Sequence, residues 1–124
     1  MSENYKSKDI ANLYRVFEEA VTGSDVGRLL EEFYTEDVAF VGTGLPLSRG
    51  AVVKDILGGL CGVVESVRVE QLQTIVVEAD KVLIDFALVH AKDADDNETV
   101  DHSTCVFQKG ANGWRCITDV FVRQ

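Results

Sequence analysis

The side chains equipped for proton transfer or nucleophilic attack gather in the last third of the chain: His90, Asp101, His102, Ser103, Cys105, Cys116 and Asp119. Residues 99–108 and 113–123 read as alternating strands on either side of Lys109, Gly110, Ala111 and Asn112. A four-residue loop 109–112 would set Phe107 opposite Trp114, Cys105 opposite Cys116, Ser103 opposite Thr118 and Asp101 opposite Val120. Because strand side chains alternate faces, Phe107, Trp114, Cys105, Cys116, Ser103 and Thr118 then share one surface. His102 would meet Asp119 on the other. A histidine held by an aspartate is an arrangement used for acid/base work, but no nucleophile accompanies it, and a surface pair is the plainer reading. A catalytic cysteine needs a base, and His102 projects away from Cys105.

Metal and phosphate chemistry find little footing. His90 and His102 form no recognisable ligand set. The acidic loop 93–98 echoes a calcium loop but lacks the glycine at its sixth position, and Thr104 stands at its twelfth. The glycines around Gly42 make neither a dinucleotide fingerprint nor a P-loop. No metal or cofactor is expected.

Composition narrows the partners. The 124 residues fit one domain, 1–124, and 46% of them are apolar, enough for a core. A formal charge of −9 repels nucleic acid. No apolar run approaches the roughly 18 residues that span a bilayer, and no signal-peptide pattern opens the chain. Three cysteines without a CxxC fit reduced thiols and a cytoplasmic location.

The elements that must position these residues come in two halves. Ser7 caps a first helix with the stripe Ile10, Leu13, Tyr14, Phe17 and Val21, ending at Gly23. A second helix carries Val26, Leu29, Leu30 and Phe33. Strand 38–41, a loop with the one proline and a third helix, 51–61, follow, with Gly58 and Gly59 expected to fray the last. Residues 67–77 then read as one long strand. In 82–90, Val82, Ile84, Phe86, Leu88 and His90 alternate with Leu83, Asp85, Ala87 and Val89, and the first set is expected inside. His90 would end that strand near a pocket mouth. Helices first and meandering strands after predict an α+β fold, with three helices on a strongly curved antiparallel sheet. Strands this long coil, leaving a cone-like hollow between sheet and helices.

The run FYTEDVAF, a Gly/Pro loop and SRGAVVKDIL, together with the closing STCVFQKGANGWRCITDVF, resembles the nuclear-transport-factor-2-like superfamily. More narrowly it resembles its ketosteroid-isomerase-like and polyketide-cyclase (SnoaL-like) branches. The resemblance spans nearly the whole chain and implies a cystatin-like half-barrel. It makes the tryptophan hairpin face the concave one and implies a homodimer through the sheet, for which Ile117 and Phe121 are the expected face. Ketosteroid isomerases use a helix tyrosine, an aspartate base and a protonated aspartic acid. Those positions fall near Phe17 or Glu18, on Gly42, and on Ser103 or Asp101, so two of three roles are missing and standard steroid isomerase chemistry is not expected.

The resemblance therefore implies binding, with isomerisation or cyclisation as the chemistry, of a small apolar molecule by cofactor-free acid/base action. His90, Asp101 and Ser103 are the catalytic candidates. Tyr14, Phe17, Phe40, Phe86, Trp114 and Thr118 are the pocket candidates, with Tyr14 also a possible donor. The alternative is a non-enzymatic dimeric ligand carrier or interaction module of the same fold.

Overall fold

Ser7 starts the first helix, its hydroxyl accepting from the Ile10 N–H at 3.3 Å, which satisfies one of the orphan donors of a helix start. Helix α1 (Lys8–Thr22) buries Ile10, Tyr14, Phe17, Ala20 and Val21 along one face, and the Gly23 N–H closes it on the Glu19 carbonyl. The computed structural model describes residues 4–124. Asp25 caps a single turn, α2 (Val26–Arg28), which widens into a π-helical turn, Leu29–Phe33. The Tyr34 N–H bonds back to the Leu29 carbonyl there, the longer ring of a π turn. The expected regular second helix is thus a helix that opens at its end, and Phe33 and Tyr34 are both buried as neighbours. Their rings meet edge to face, centroids 4.7 Å apart.

Strand β1 (Tyr34–Gly42) begins earlier than the apolar run implies and turns at Gly44, φ 75°, into the short edge strand β2 (Leu45–Ser48). Pro46 sits on that edge, where its missing N–H is tolerated. Helix α3 (Ala51–Val63) runs straight through Gly58 and Gly59. Burial of Val53, Leu57 and Cys61 on one stripe outweighs the roughly 1 kcal/mol each glycine costs.

Strands β3 (Val64–Glu78), β4 (Val82–Asp93), β5 (Glu98–Gly110) and β6 (Gly113–Arg123) meander antiparallel. The sheet order is β2-β1-β6-β5-β4-β3. Strand β1 lies parallel to β6, so the sheet is mixed, mostly antiparallel and open. Register shifts in β3 and β6 add the bends that bulges bring, and the helices pack on the inner face.

The parity expected of β4 is reversed. Leu83, Asp85 and Ala87 are buried, whereas Phe86, Leu88 and His90 point to the outer face. Both sets are apolar enough to be buried, so alternation alone does not choose the inner one. Yet Asp85 is fully buried. It accepts from Tyr14 Oη at 2.6 Å, Gln71 Nε2 at 2.9 Å and the Thr74 hydroxyl. Thr74 Oγ1 in turn accepts from the Ser7 N–H at 2.9 Å, tying the start of α1 to β3 and β4. Burial raises the Asp85 pKa although all three donors pull it down.

Tyr14→Phe removes one donor from that carboxyl. Leaving a buried acceptor short costs about 1–3 kcal/mol, so the urea midpoint is expected to fall accordingly with an unchanged m-value.

Candidate functional site

The closing hairpin turns tighter than a four-residue loop. Gly110 pairs with Gly113 around Ala111 and Asn112, and Lys109 faces Trp114. Phe107 then pairs with Cys116, but Val106 pairs with Thr118, leaving Ile117 as an extra residue. This bulge flips the side-chain parity of β6. Trp114 and Cys116 face inward before it; beyond it Asp119 is buried and Phe121 and Arg123 line the cavity. His102 therefore faces Val122, not Asp119.

The inner face and the helices enclose a cavity of about 320 Å³, within the usual range for small-molecule sites. Phe17 and Val21 of α1, Ile56 and Leu60 of α3, Phe40 of β1 and Phe121 of β6 supply apolar walls. Asp119, Ser103 and Tyr34 form a polar floor. Tyr34 Oη donates to Asp119 Oδ2 at 2.8 Å, and Ser103 Oγ donates to Oδ1 at 3.2 Å. Burial raises the Asp119 carboxyl above its ordinary range, against the pull of its hydrogen-bond donors. Burial, with the neighbouring Asp119 charge, also keeps the Tyr34 phenol protonated. Cys105 also hydrogen-bonds this carboxyl.

Phe121 reaches the cavity because position 42 is glycine. A Cβ there would collide with the Phe121 ring, which also packs against Phe40 at 5.1 Å between centroids. The position on which the resemblance would place the isomerase base is thus a packing glycine.

The expected site residues separate. Ser103 reaches Asp119, and Asp101 sits at the cavity mouth, where its Oδ1 accepts from Arg123 Nε at 2.6 Å. His90 lies on the outer face, with Nε2 3.2 Å from Glu70 Oε1. Phe17 and Phe40 line the cavity. Tyr14 is engaged with Asp85 in the core, and Trp114 is buried near the hairpin turn. Phe86 faces outward with its strand, and Thr118 turns outward opposite Val106. Ile117 is the half-buried bulge residue and Phe121 points in, so the expected dimer face does not hold as drawn. Asp119, Tyr34 and Arg123 were not singled out for the cavity. A lone acid in the apolar run ITDVF was the available signal for the first.

Cys61, Cys105 and Cys116 are free, buried thiols. Sulfurs of Cys105 and Cys116 and a carboxyl oxygen of Asp119 lie within 4.8 Å of one another. That is a donor set a thiophilic ion can use, but both thiols are raised, Cys116 chiefly by burial and Cys105 by its bond to Cys116 and by burial. Cys116 Sγ also donates to the Thr118 carbonyl at 3.3 Å.

Two substitutions test this geometry. Gly42→Ala overpacks Phe121 and is expected to cost about 1–3 kcal/mol, read by denaturant unfolding. For Asp119, a folded-state pKa raised above the ordinary 3.8 means its stabilising contribution is present below that value. It is lost as pH rises through the folded pKa. Asp119→Asn, which keeps the shape, should gain stability relative to the wild type as pH rises from about 4. The gain should level off once the wild-type carboxyl is ionised; parallel unfolding midpoints from acid to mildly alkaline pH measure it.

No protein-family model matches the sequence, and no curated protein matches it. Solved structures do. A protein of unknown function with a cystatin-like fold from Nostoc punctiforme superposes with a TM-score of 0.76 at 15% identity, covering 99% of this chain and 96% of that one. A ketosteroid isomerase-like protein from Erwinia carotovora atroseptica gives 0.70 at 16% identity, with 92% of each chain covered. An NTF2-like protein from Cytophaga hutchinsonii gives 0.73 at 14% identity, covering 97% of this chain and 100% of that one. The chain therefore has the cystatin-like α+β fold shared by NTF2-like and ketosteroid isomerase-like proteins.

Proposed function

We propose that this protein takes a small, largely apolar organic molecule into the cavity and that Asp119 acts on it as a cofactor-free general acid/base, in an isomerisation or cyclisation. The observation that carries the reading is the Asp119 carboxyl, aimed into an apolar hollow and held by Tyr34 and Ser103. Desolvation makes such a carboxylate a stronger base than it is in water. Tyr34 and Ser103 fix its plane, so a C–H placed on a free lone pair finds an oriented acceptor. The protonated carboxyl can return the proton to a neighbouring carbon or to a developing oxyanion. Ser103 is then a positioning residue, and Asp101 belongs to the mouth.

A second reading keeps the ligand and drops the reaction. Both Asp119 oxygens already have protein donors, and Asp101 is engaged by Arg123, which suits a carrier whose polar groups are internally satisfied. The assembly proposed in either case is a homodimer through the outer sheet face. Val120 and Val122, 37% and 55% exposed, replace Phe121 at its centre, since exposed apolar groups on a sheet mark interfaces. The three free thiols suit a reducing, cytoplasmic setting.

The deciding experiment follows exchange of acidic C–H positions with D2O by NMR, using ligands that raise the melting temperature in an aromatic and terpenoid panel. Bound ligands should stabilise both wild type and Asp119→Asn, but exchange should fall by about 100-fold or more in the variant. Equal exchange in both would remove Asp119 from the chemistry. Ligand stabilisation without exchange in either would favour the carrier, and no stabilisation by any ligand would reject the pocket.

A further inference from the structure

The mouth of the cavity carries four charges: Lys92, Asp93, Asp101 and Arg123. They are not equivalent. Asp93 is occupied by its own loop, accepting from the Asp95 N–H at 2.9 Å, the Asn97 N–H at 3.0 Å and Asn97 Nδ2 at 3.1 Å. Asp101 is occupied by Arg123 Nε. That bond takes one corner of the guanidinium, and among the described residues neither Nη group donates a hydrogen bond. Lys92 is exposed and shares the outward parity of Leu88 and His90 on β4, so its ammonium is directed away from the cavity. Both acidic groups at the mouth thus already have protein donors, while Arg123 keeps its Nη donors to offer.

We infer that the ligand is an amphiphile with a carboxylate head, seated at the mouth on the Nη edge of Arg123, and with its apolar body between α1, α3 and the sheet. The inference rests on the small-molecule reading of the cavity and adds the polarity and direction of the ligand. A carboxylate is favoured over other heads because a planar guanidinium matches two coplanar oxygens. Asp101 is the positioning partner: it is paired with Arg123 in register across β5 and β6, and its bond to Nε fixes the arginine at the mouth. The backbone supports the same placement, with the Arg123 N–H on Thr43 Oγ1 at 3.0 Å. The apolar walls below reject a second charge, so a single head at the mouth with an uncharged remainder suits the walls. The overall charge of −9 works against anions at long range, so the attraction is a short-range contact.

Matched probes test it: geranate, geraniol and geranylamine, and cinnamate, cinnamyl alcohol and cinnamylamine, each titrated calorimetrically into the full chain at physiological salt. Wild type should bind each acid about tenfold or more tighter than its alcohol, with the amine weakest. Arg123→Gln should abolish that preference while leaving the alcohol affinity within about twofold, and Arg123→Lys should restore part of it. Leu60→Trp, which fills the cavity, should weaken all six. An alcohol binding as tightly as its acid, or an acid preference that survives Arg123→Gln, overturns the carboxylate inference and leaves the cavity reading standing. Failure of all six to bind, or binding unaffected by Leu60→Trp, overturns both.

Discussion

One extra residue in the last strand decides what this fold can hold. Without the bulge at Ile117, the alternation that buries Trp114 and Cys116 would turn Asp119, Phe121 and Arg123 to the outer face. With it, β6 presents two apolar anchors near the hairpin and three cavity residues beyond. A carboxyl, an aromatic wall and a cation at the mouth are thus aimed from one strand by one irregularity. Gly42 on β1 is the matching concession, since the redirected Phe121 ring occupies the space a side chain would need.

Two buried carboxyls each accept from a tyrosine of their own but differ in purpose. Asp85 is saturated by Tyr14, Gln71 and Thr74 and joins the first helix to the sheet. Asp119 has Tyr34 and Ser103 and borders open space. Burial raises the pKa of both. The difference is access: one carboxyl is enclosed by its donors, and the other has a side on which a ligand can sit. Such a perturbed group beside a cavity is where functional chemistry tends to be found.

The helices were readable because capping and apolar spacing agree. Ser7, Gly23 and the stripe from Ile10 to Val21 all point to the same element. The α+β order was readable for the same reason, as the period changes after α3. Strand faces were harder. In β4 both parities are apolar, so alternation does not choose the buried one, and Asp85 is stabilised inside by partners distant in sequence. In β6 a bulge adds no residue type that marks it, and everything after Ile117 was placed on the wrong side. Phe17, Asp101 and Ser103 line the cavity from elements whose periodicity is undisturbed, and Phe40 does so from the consecutively buried run Val38 to Phe40 of β1. The π turn was likewise hidden, since Leu29 to Phe33 has ordinary helical composition.

The parallel pairing of β1 with β6 has a bearing on how the chain assembles. The two strands joined side by side are the first and the last, with Tyr34 and Asp119 separated by 85 positions. The helices and the middle hairpins can form from local contacts, but the first strand has no long neighbour until the final one arrives. Loop closure over such a separation slows folding, and an unpaired strand edge is a template for misassociation. On the ribosome, the cavity would therefore stay open on one side until β6 has emerged.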